Sequence, residues 1–533
     1  MKNIFISAVF FLCFLPAISQ RPLTQGWHLK DHAKDGYYGI SLQQAYELLS
    51  ARKIPSKEVI VAILDDGIDL THEDLEAVLW TNSTEVPGNG IDDDHNGYID
   101  DVHGWNFLGN PDGRNVLSNS SEWIRVFWRY KEKYDGKLVD TGKLNPAEKY
   151  EYLLWQKARS GVVGKGMKQE DLKNLHTFFS NVVFCDSVLK PRFAKNEYSE
   201  KDLSGYTPVN NLETEVKKFL LPVFKQDGNP EVKNHFLLEE IEKYIIGEER
   251  RANGDKIPPE ENRKTITGDD EMNFNNKYYG NNDINNAPLM HGTHLAGIIG
   301  AKRNNGIGMD GIAGNVKIMM VRTSADGDEY DKDIAMGIRY AVDNGAKIIN
   351  MSFGKSLSPD KKRVDDAVKY AMEKDVLLVQ AAGNSKRNID GYDNYPNPKY
   401  FLSDSMAANW ITVGASDTSG MAASFSNYGQ QVVDVFAPGV AIYSTLPGSK
   451  YMSWEGTSMA APVVTGVAAI LRSYFPGLSA VEVKYIIDQS VSVPSTPTLI
   501  PGSTQQAGMN KLCKTGGIVN AFNAVKLALS YKR

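Results

Sequence analysis

Val59-Ile60-Val61-Ala62-Ile63-Leu64-Asp65-Asp66-Gly67 is an unbroken apolar run, rich in β-branched residues, that stops at two carboxylates and a glycine. A strand with one wet face would alternate apolar and polar residues. This one does not, which is the pattern of a strand buried on both faces of a parallel sheet. Runs of the same kind recur at residues 316–321, 346–351 and 376–382, and the segments 331–342 and 361–372 between them carry helical periodicity. Strands alternating with helices predict an α/β fold, a three-layer parallel β-sheet covered by helices on both faces. In such sheets functional groups collect beyond the carboxyl ends of the strands. Asp65 stands at one such end, and Ala381-Ala382-Gly383-Asn384 stands at another.

Towards the C-terminus, Trp454-Glu455-Gly456-Thr457-Ser458-Met459-Ala460-Ala461-Pro462 opens a run of small and apolar residues spaced for a tightly packed helix. A serine in the first turn of a helix lies beside N–H groups that lack intrahelical acceptors, at the positive end of the helix. That environment suits a developing oxyanion, and it equally suits a simple N-cap. Met290-His291-Gly292-Thr293-His294 opens another helix of small residues. The carboxylate of a zinc-binding H-E-x-x-H is missing there, which argues against a metal site; His291 at the helix start faces the loop side, and His294, one turn further in, reads as structural. Helices are expected at residues 479–487 and 518–529, and Ser41 is placed to cap one whose apolar face is Leu42, Ala45, Tyr46 and Leu49.

Residues 108–265 differ in character: charged, aromatic and helical in period. Leu212, Val216, Phe219, Leu220 and Val223 share one helical face, as do Leu237, Leu238, Ile241, Tyr244 and Ile245. The organisation expected is therefore a leader over 1–19, the first part of the α/β unit over 20–107, a helical insertion over 108–265, and the remainder of that unit over 266–533. The leader reading rests on Lys2, an apolar core over residues 4–15, and the small residues Ala17 and Ser19, placing the mature start near Gln20. The exported product would be periplasmic or extracellular, with no membrane span. Export leaves Cys185 and Cys513, which could form one disulfide or remain two buried thiols. A net charge of -6 with no basic run gives no reason to expect a nucleic-acid partner.

Asp92, Asp94, Asn96, Gly97 and Asp100 follow the spacing of a calcium loop, but its twelfth position is His103 instead of glutamate. The expectation is a single structural calcium loop, with a solvated acidic turn as the alternative.

Together, V-A-I-L-D-D-G-I-D, H-G-T-H-L-A-G, A-A-G-N and G-T-S-M-A-A-P resemble the motifs of the subtilisin-like serine proteases, in that family's order. The resemblance covers about residues 55–106 and 280–527. It implies Ser458 as nucleophile, His291 as general base and then acid, Asp65 as the carboxylate that holds the imidazole, and Asn384 as an oxyanion donor beside the Ser458 N–H. It implies a substrate-pairing edge over 348–354, with Ser352, Phe353 and Gly354, and Ala382 and Gly383 across from them, as substrate-binding residues. The substrate would be a polypeptide bound by strand addition. Asp74 and the loop Asn304-Asn305-Gly306 resemble parts of the family's strong calcium site. Asn394, before Tyr395-Pro396, stands where relatives often keep a glycine at the P1 pocket floor, which would disfavour large aromatic P1 residues. The 226 residues from Asp65 to His291 depart from compact relatives, which have a short stretch there. A catalytically silent relative that binds through the helical insertion is the alternative function.

Overall fold

The computed structural model describes residues 24–227, 230, 232–259, 261–286 and 289–532. The leader expected over residues 1–19 lies outside them. Strands β1 (Val59–Asp65), β2 (Gly104–Asn106), β3 (Val316–Arg322), β4 (Ile348–Met351), β5 (Leu377–Ala381), β6 (Trp410–Ser416) and β7 (Val435–Pro438) form one sheet in the order β2-β3-β1-β4-β5-β6-β7. Every neighbouring pair is parallel. An antiparallel hairpin of β8 (Ile442–Leu446) and β9 (Lys450–Trp454) stands apart from the sheet.

Successive residues of β1 enter opposite cores. Val59, Val61 and Ile63 pack with the helices Met290–Gly300 and Thr457–Tyr474, whereas Ala62 and Leu64 pack with Asp331–Asp343 and Lys361–Glu373. Helices thus cover both faces, which is why the strand lacks polar alternation. The period-based reading missed β6 and β7. Thr412 and Ser416 of β6 are polar yet buried, with Thr412 Oγ1 accepting from the Trp410 indole at 3.0 Å. Four residues, Val435 to Pro438, are too short to show a period.

The helix Leu42–Ala51 forms as expected, but Ser41 does not cap it: at φ 56° its hydroxyl donates to Asp31 Oδ2 at 2.7 Å. The last helix begins later than expected, at Ala521, because Ile518 bridges to Phe436 and Ser492 and Asn520 supplies the cap. Cys185 and Cys513 are free thiols buried in different apolar clusters, so the disulfide alternative is discarded.

Between β2 and the helix Met290–Gly300 the chain runs through five longer helices: Glu122–Tyr134, Pro146–Val162, Gln169–Leu189, Asn211–Asp227 and Asn234–Asn253. They enclose two apolar clusters of their own. Within the fourth, Val216, Leu220 and Phe224 are the buried face, and Leu212 is 53% exposed. Within the fifth, Leu237 and Ile245 are buried and Tyr244 is 55% exposed. The expected stripes were wider than the buried faces, because helical periodicity alone does not say how much of a face a neighbour covers.

Candidate active site

Asp65 is the last residue of β1, and its Oδ1 accepts from the Asp66 N–H at 2.9 Å. The same oxygen lies 2.8 Å from His291 Nδ1. His291 is held there by its helix. Asp66 Oδ2 accepts from the His291 N–H at 3.2 Å and Oδ1 from the Gly292 N–H at 2.8 Å, so this carboxylate caps the first turn. A Cβ on Gly292 would sit 2.2 Å from the Gly67 carbonyl oxygen, so only glycine allows the helix this close to the acidic turn. Burial, and then the neighbouring Asp65, push the Asp66 carboxyl well above the usual carboxylate range. Burial works to lower the His291 pKa, but the carboxylates of Asp65, Asp66 and Glu329 together outweigh it and raise the imidazole to about 9.

Ser458 is the second residue of the helix Thr457–Tyr474, which packs against the histidine helix. Its hydroxyl donates to the Ser352 carbonyl at 2.9 Å and not to His291. In return, Ser352 Oγ donates to the Ser458 carbonyl at 2.9 Å. A buried polar chain supports this pair: Thr465 donates to Asn350 at 2.9 Å, and the Asn350 amide donates to Ser352 Oγ at 2.9 Å. It ties the end of β4 to the serine helix.

Thr457, which the sequence reading passed over, orients Asn384. Its N–H and its hydroxyl both donate to Asn384 Oδ1, each at 2.9 Å, which leaves the Asn384 amide nitrogen turned towards Gly456 and open space. The Gly383 N–H donates back to Thr457 Oγ1 at 3.0 Å. Gly383 has φ 96°, and a Cβ there would lie 2.6 Å from the Asn427 amide. Buried Asn427, also unread from the sequence, fastens the turn by donating to the Ala382 carbonyl at 2.8 Å and accepting the Ser385 N–H at 3.0 Å.

Phe353 is half-buried and Gly354 exposed, so their backbone edge is open. Asn394 donates to the Ala382 carbonyl at 3.2 Å, and a Cβ on Gly354 would lie 3.0 Å from its Oδ1. Its side chain therefore fills the space between the 352–354 edge and the 382–383 turn. The bond from Tyr395 to Pro396 is cis. His294 is buried and neutral: burial lowers its pKa to about 3, and Nε2 bonds the Met452 carbonyl at 3.1 Å, while Nδ1 has no hydrogen-bond partner among the described residues.

The acidic residues separate into three places. Asp92 and Asp94 offer oxygens that lie with one from Glu85 within 4.8 Å of one another. Glu85 was not anticipated, because it precedes the loop and joins it only through the fold. Asp100 instead accepts the N–H groups of Gly88, Asn89 and Gly90, and the Asn96 amide donates to Asp94 and Asp101. Asp74 is distant in role: it accepts from the Asn305 amide at 2.6 Å and the Met309 N–H at 3.0 Å. An all-oxygen donor set of three carboxylates fits a hard cation such as calcium.

A cavity of about 1440 Å³ adjoins Asp65 and His291 and is walled in part by residues between 197 and 243. Among the described residues no helix is long and apolar enough to cross a membrane.

The pattern of the Subtilase family matches residues 56–516. Thermitase of Thermoactinomyces vulgaris is 41% identical over 242 residues, 44% of this chain and 75% of that protein. A thermophilic serine proteinase of Bacillus sp. (strain AK1) is 37% identical over 277 residues, 51% of this chain and 59% of that protein. Subtilisin BL of Lederbergia lenta is 39% identical over 208 residues, 39% of this chain and 72% of that protein.

Proposed function

The chain belongs to the subtilase family, and on that premise we propose that it is an exported serine endopeptidase acting through Asp65, His291 and Ser458. The observation that carries this reading is the 2.8 Å contact between His291 Nδ1 and Asp65 across 226 residues of chain. In the neutral imidazole, an Nδ1–H donated to Asp65 would leave Nε2 as the base.

In the reaction the Ser458 hydroxyl turns from the Ser352 carbonyl towards His291 Nε2. The imidazole takes the hydroxyl proton as Oγ attacks the scissile carbonyl. The resulting oxyanion is met by the Ser458 N–H and the Asn384 amide, which Thr457 has already aimed. Collapse breaks the C–N bond, and the imidazolium gives its proton to the leaving amine. A water molecule, deprotonated by the same nitrogen, then cleaves the acyl-enzyme and restores Ser458. Asp65 stabilises the imidazolium. The substrate chain pairs with the edge at Ser352, Phe353 and Gly354, opposite Ala382 and Gly383. Asn394 shortens the P1 pocket.

Residues 108–265 serve in this reading as a helical subdomain inserted into a catalytic unit built from 20–107 and 266–533. Calcium would be held by Glu85, Asp92 and Asp94, supplying charge neutralisation that stiffens the loop leading into β2. Asp74 would contribute to a second, separate site.

A catalytically silent relative is the second reading, favoured by the single fact that the Ser458 hydroxyl bonds Ser352 instead of His291. A fluorophosphonate probe separates the two. Covalent labelling and hydrolysis of a denatured protein substrate, both lost in Ser458→Ala, support the protease. A folded protein that takes up no probe would establish the silent reading.

A further inference from the structure

We propose that the cleft selects polypeptides bearing a lysine or arginine near the scissile bond, and that the carboxylate of Glu329 binds this cationic side chain. The inference rests on the protease reading above, which supplies the scissile bond.

The cavity that adjoins Asp65 and His291 is also lined by Phe353 of the proposed substrate edge and by Ser324, Ala325, Asp326 and Glu329. A chain paired with that edge and attacked beside His291 therefore passes the loop 324–329. Seven carboxylic side chains line this cavity against three lysines. Each lysine is already paired: Lys233 with Asp202 at 2.9 Å, Lys243 with Glu239 at 2.8 Å, and Lys450 with Glu197 at 3.7 Å. Asp202 and Glu239 stand outside the lining, so the lysines do not offset its acidic excess. A concave site lined mainly by one sign of charge focuses its field on a ligand of the other sign, here a cation.

Glu329 differs from the other acids in its surroundings. The residue is only 7% exposed, and its Oε1 accepts from the Ser324 hydroxyl at 3.1 Å. Among the described residues no lysine or arginine forms an ion pair with its carboxylate. Lys355 and Arg125 donate to its main-chain carbonyl instead, at 2.7 and 3.0 Å, and the Lys355 ammonium pairs with Glu122 and Asp331. Burial, and then the neighbouring Asp328, raise the carboxyl to about 7, and Lys355 opposes them only in part. A buried carboxylate without a paired cation is costly, and an arriving ammonium or guanidinium relieves that cost. The charge of Glu329 also reaches the His291 imidazole.

The inserted segment fixes the loop that carries this carboxylate. The Asn119 N–H donates to the Asp326 carbonyl at 2.5 Å, and the Asp326 N–H to the Leu117 carbonyl at 3.2 Å. The Glu122 N–H donates to Asp328 Oδ2 at 2.6 Å, and Arg125 to the carbonyls of Asp328 and Glu329, each at 3.0 Å. Gly327, at φ 106°, lets the two segments come this close, because a Cβ there would lie 2.2 Å from the Asn119 carbonyl oxygen. A carboxylate on a loop held at so many points needs little reordering when a cation binds, and that preorganisation strengthens binding.

The test uses quenched fluorescent peptides in which lysine, or the uncharged norleucine of similar length, is placed in turn at each position around the cleavage site. The ratio of kcat/KM for lysine over norleucine is expected to reach about 10 at one position, the scale of one charge-assisted hydrogen bond. Glu329→Gln, which keeps the shape and the Ser324 contact, should bring that ratio to about 1. A ratio near unity at every position in the unmodified enzyme, or one that Glu329→Gln leaves intact, overturns the proposal. If the Gln variant is unfolded by circular dichroism, Glu329→Asp carries the same comparison, because it draws the charge back and should lower the ratio. In the Ser458→Ala protein, fluorescence anisotropy of the labelled lysine and norleucine peptides reads the subsite without catalysis. Tighter binding of the lysine peptide, abolished by Glu329→Gln, supports the proposal even if no peptide is hydrolysed and the protease reading fails. Hydrolysis without any lysine preference refutes the subsite alone.

Discussion

Replacing Lys355 by methionine tests how firmly the helix Glu122–Tyr134 is joined to the segment that follows β4. Lys355 follows Gly354, and its backbone pairs with Tyr395 in both directions at 2.8 and 2.7 Å. Its buried ammonium contacts Glu122 of the inserted helix at 3.0 Å, Asp331 at 2.8 Å and the Glu329 carbonyl at 2.7 Å. Methionine fills most of the same volume, so lost packing is minor. The cost comes from stranding buried carboxylates, about 3–5 kcal/mol for one broken pair. The lower end applies here, because Glu122 keeps Arg125 and Asp331 keeps the Ser358 hydroxyl and the Asp360 N–H at 2.8 Å. About 3 kcal/mol is a large share of the 5–15 kcal/mol typical of folded domains.

The loss carries a pH signature. Burial already raises the Asp331 carboxyl, against the lowering effect of Lys355. Without that lysine the folded-state value rises further while the unfolded one stays near about 4. The folded state then binds the extra proton, so its stability falls as pH rises from the unfolded value through the raised folded one. The deficit should therefore be smaller near about pH 4.5 than near about pH 7.5. Urea unfolding followed by tryptophan fluorescence, in a Ser458→Ala background to prevent self-digestion, measures it. A deficit below about 1 kcal/mol, or one equal at the two pH values, refutes the reasoning.

Three further outcomes are expected. His291 must be neutral to act as base, and Asp65 raises its pKa, so kcat/KM should fall on the acid side with a midpoint above the ordinary histidine value of about 6.5; a midpoint at or below that value contradicts the electrostatics described. Chelation should lower the thermal midpoint, by the equivalent of about 2.7 kcal/mol for a site where free calcium had been 100-fold above Kd, and Glu85→Gln should remove the loop site's share of that sensitivity in differential scanning calorimetry. Asn394→Gly should open the P1 floor and raise kcat/KM for Phe or Tyr at P1 by about 10-fold relative to Ala, as read by peptide profiling; an unchanged preference would place the pocket floor elsewhere.

Much of the scaffold could be read without coordinates. An unalternated apolar run can be stable only where both faces are covered, so Val59 to Leu64 already implied the parallel sheet and its two helical layers. Glycines and small residues around Asp65, His291, Asn384 and Ser458 marked the four places where backbone comes close. What escaped was whatever depends on partners far apart in the chain. Thr457 aims Asn384, Asn427 fastens Gly383, Glu85 joins the acidic loop, and Glu122 meets Lys355, yet none has a local pattern, because a hydrogen bond or ion pair across the fold imposes no spacing on the sequence. The course of the Ser458 hydroxyl was equally hidden, since rotation about one bond decides it.

The amino-acid order alone therefore determined which residues could strand, coil and crowd together, through periodicity and size. Only the tertiary structure decided which polar groups face one another, because those contacts are set by distance in space and not by distance along the chain.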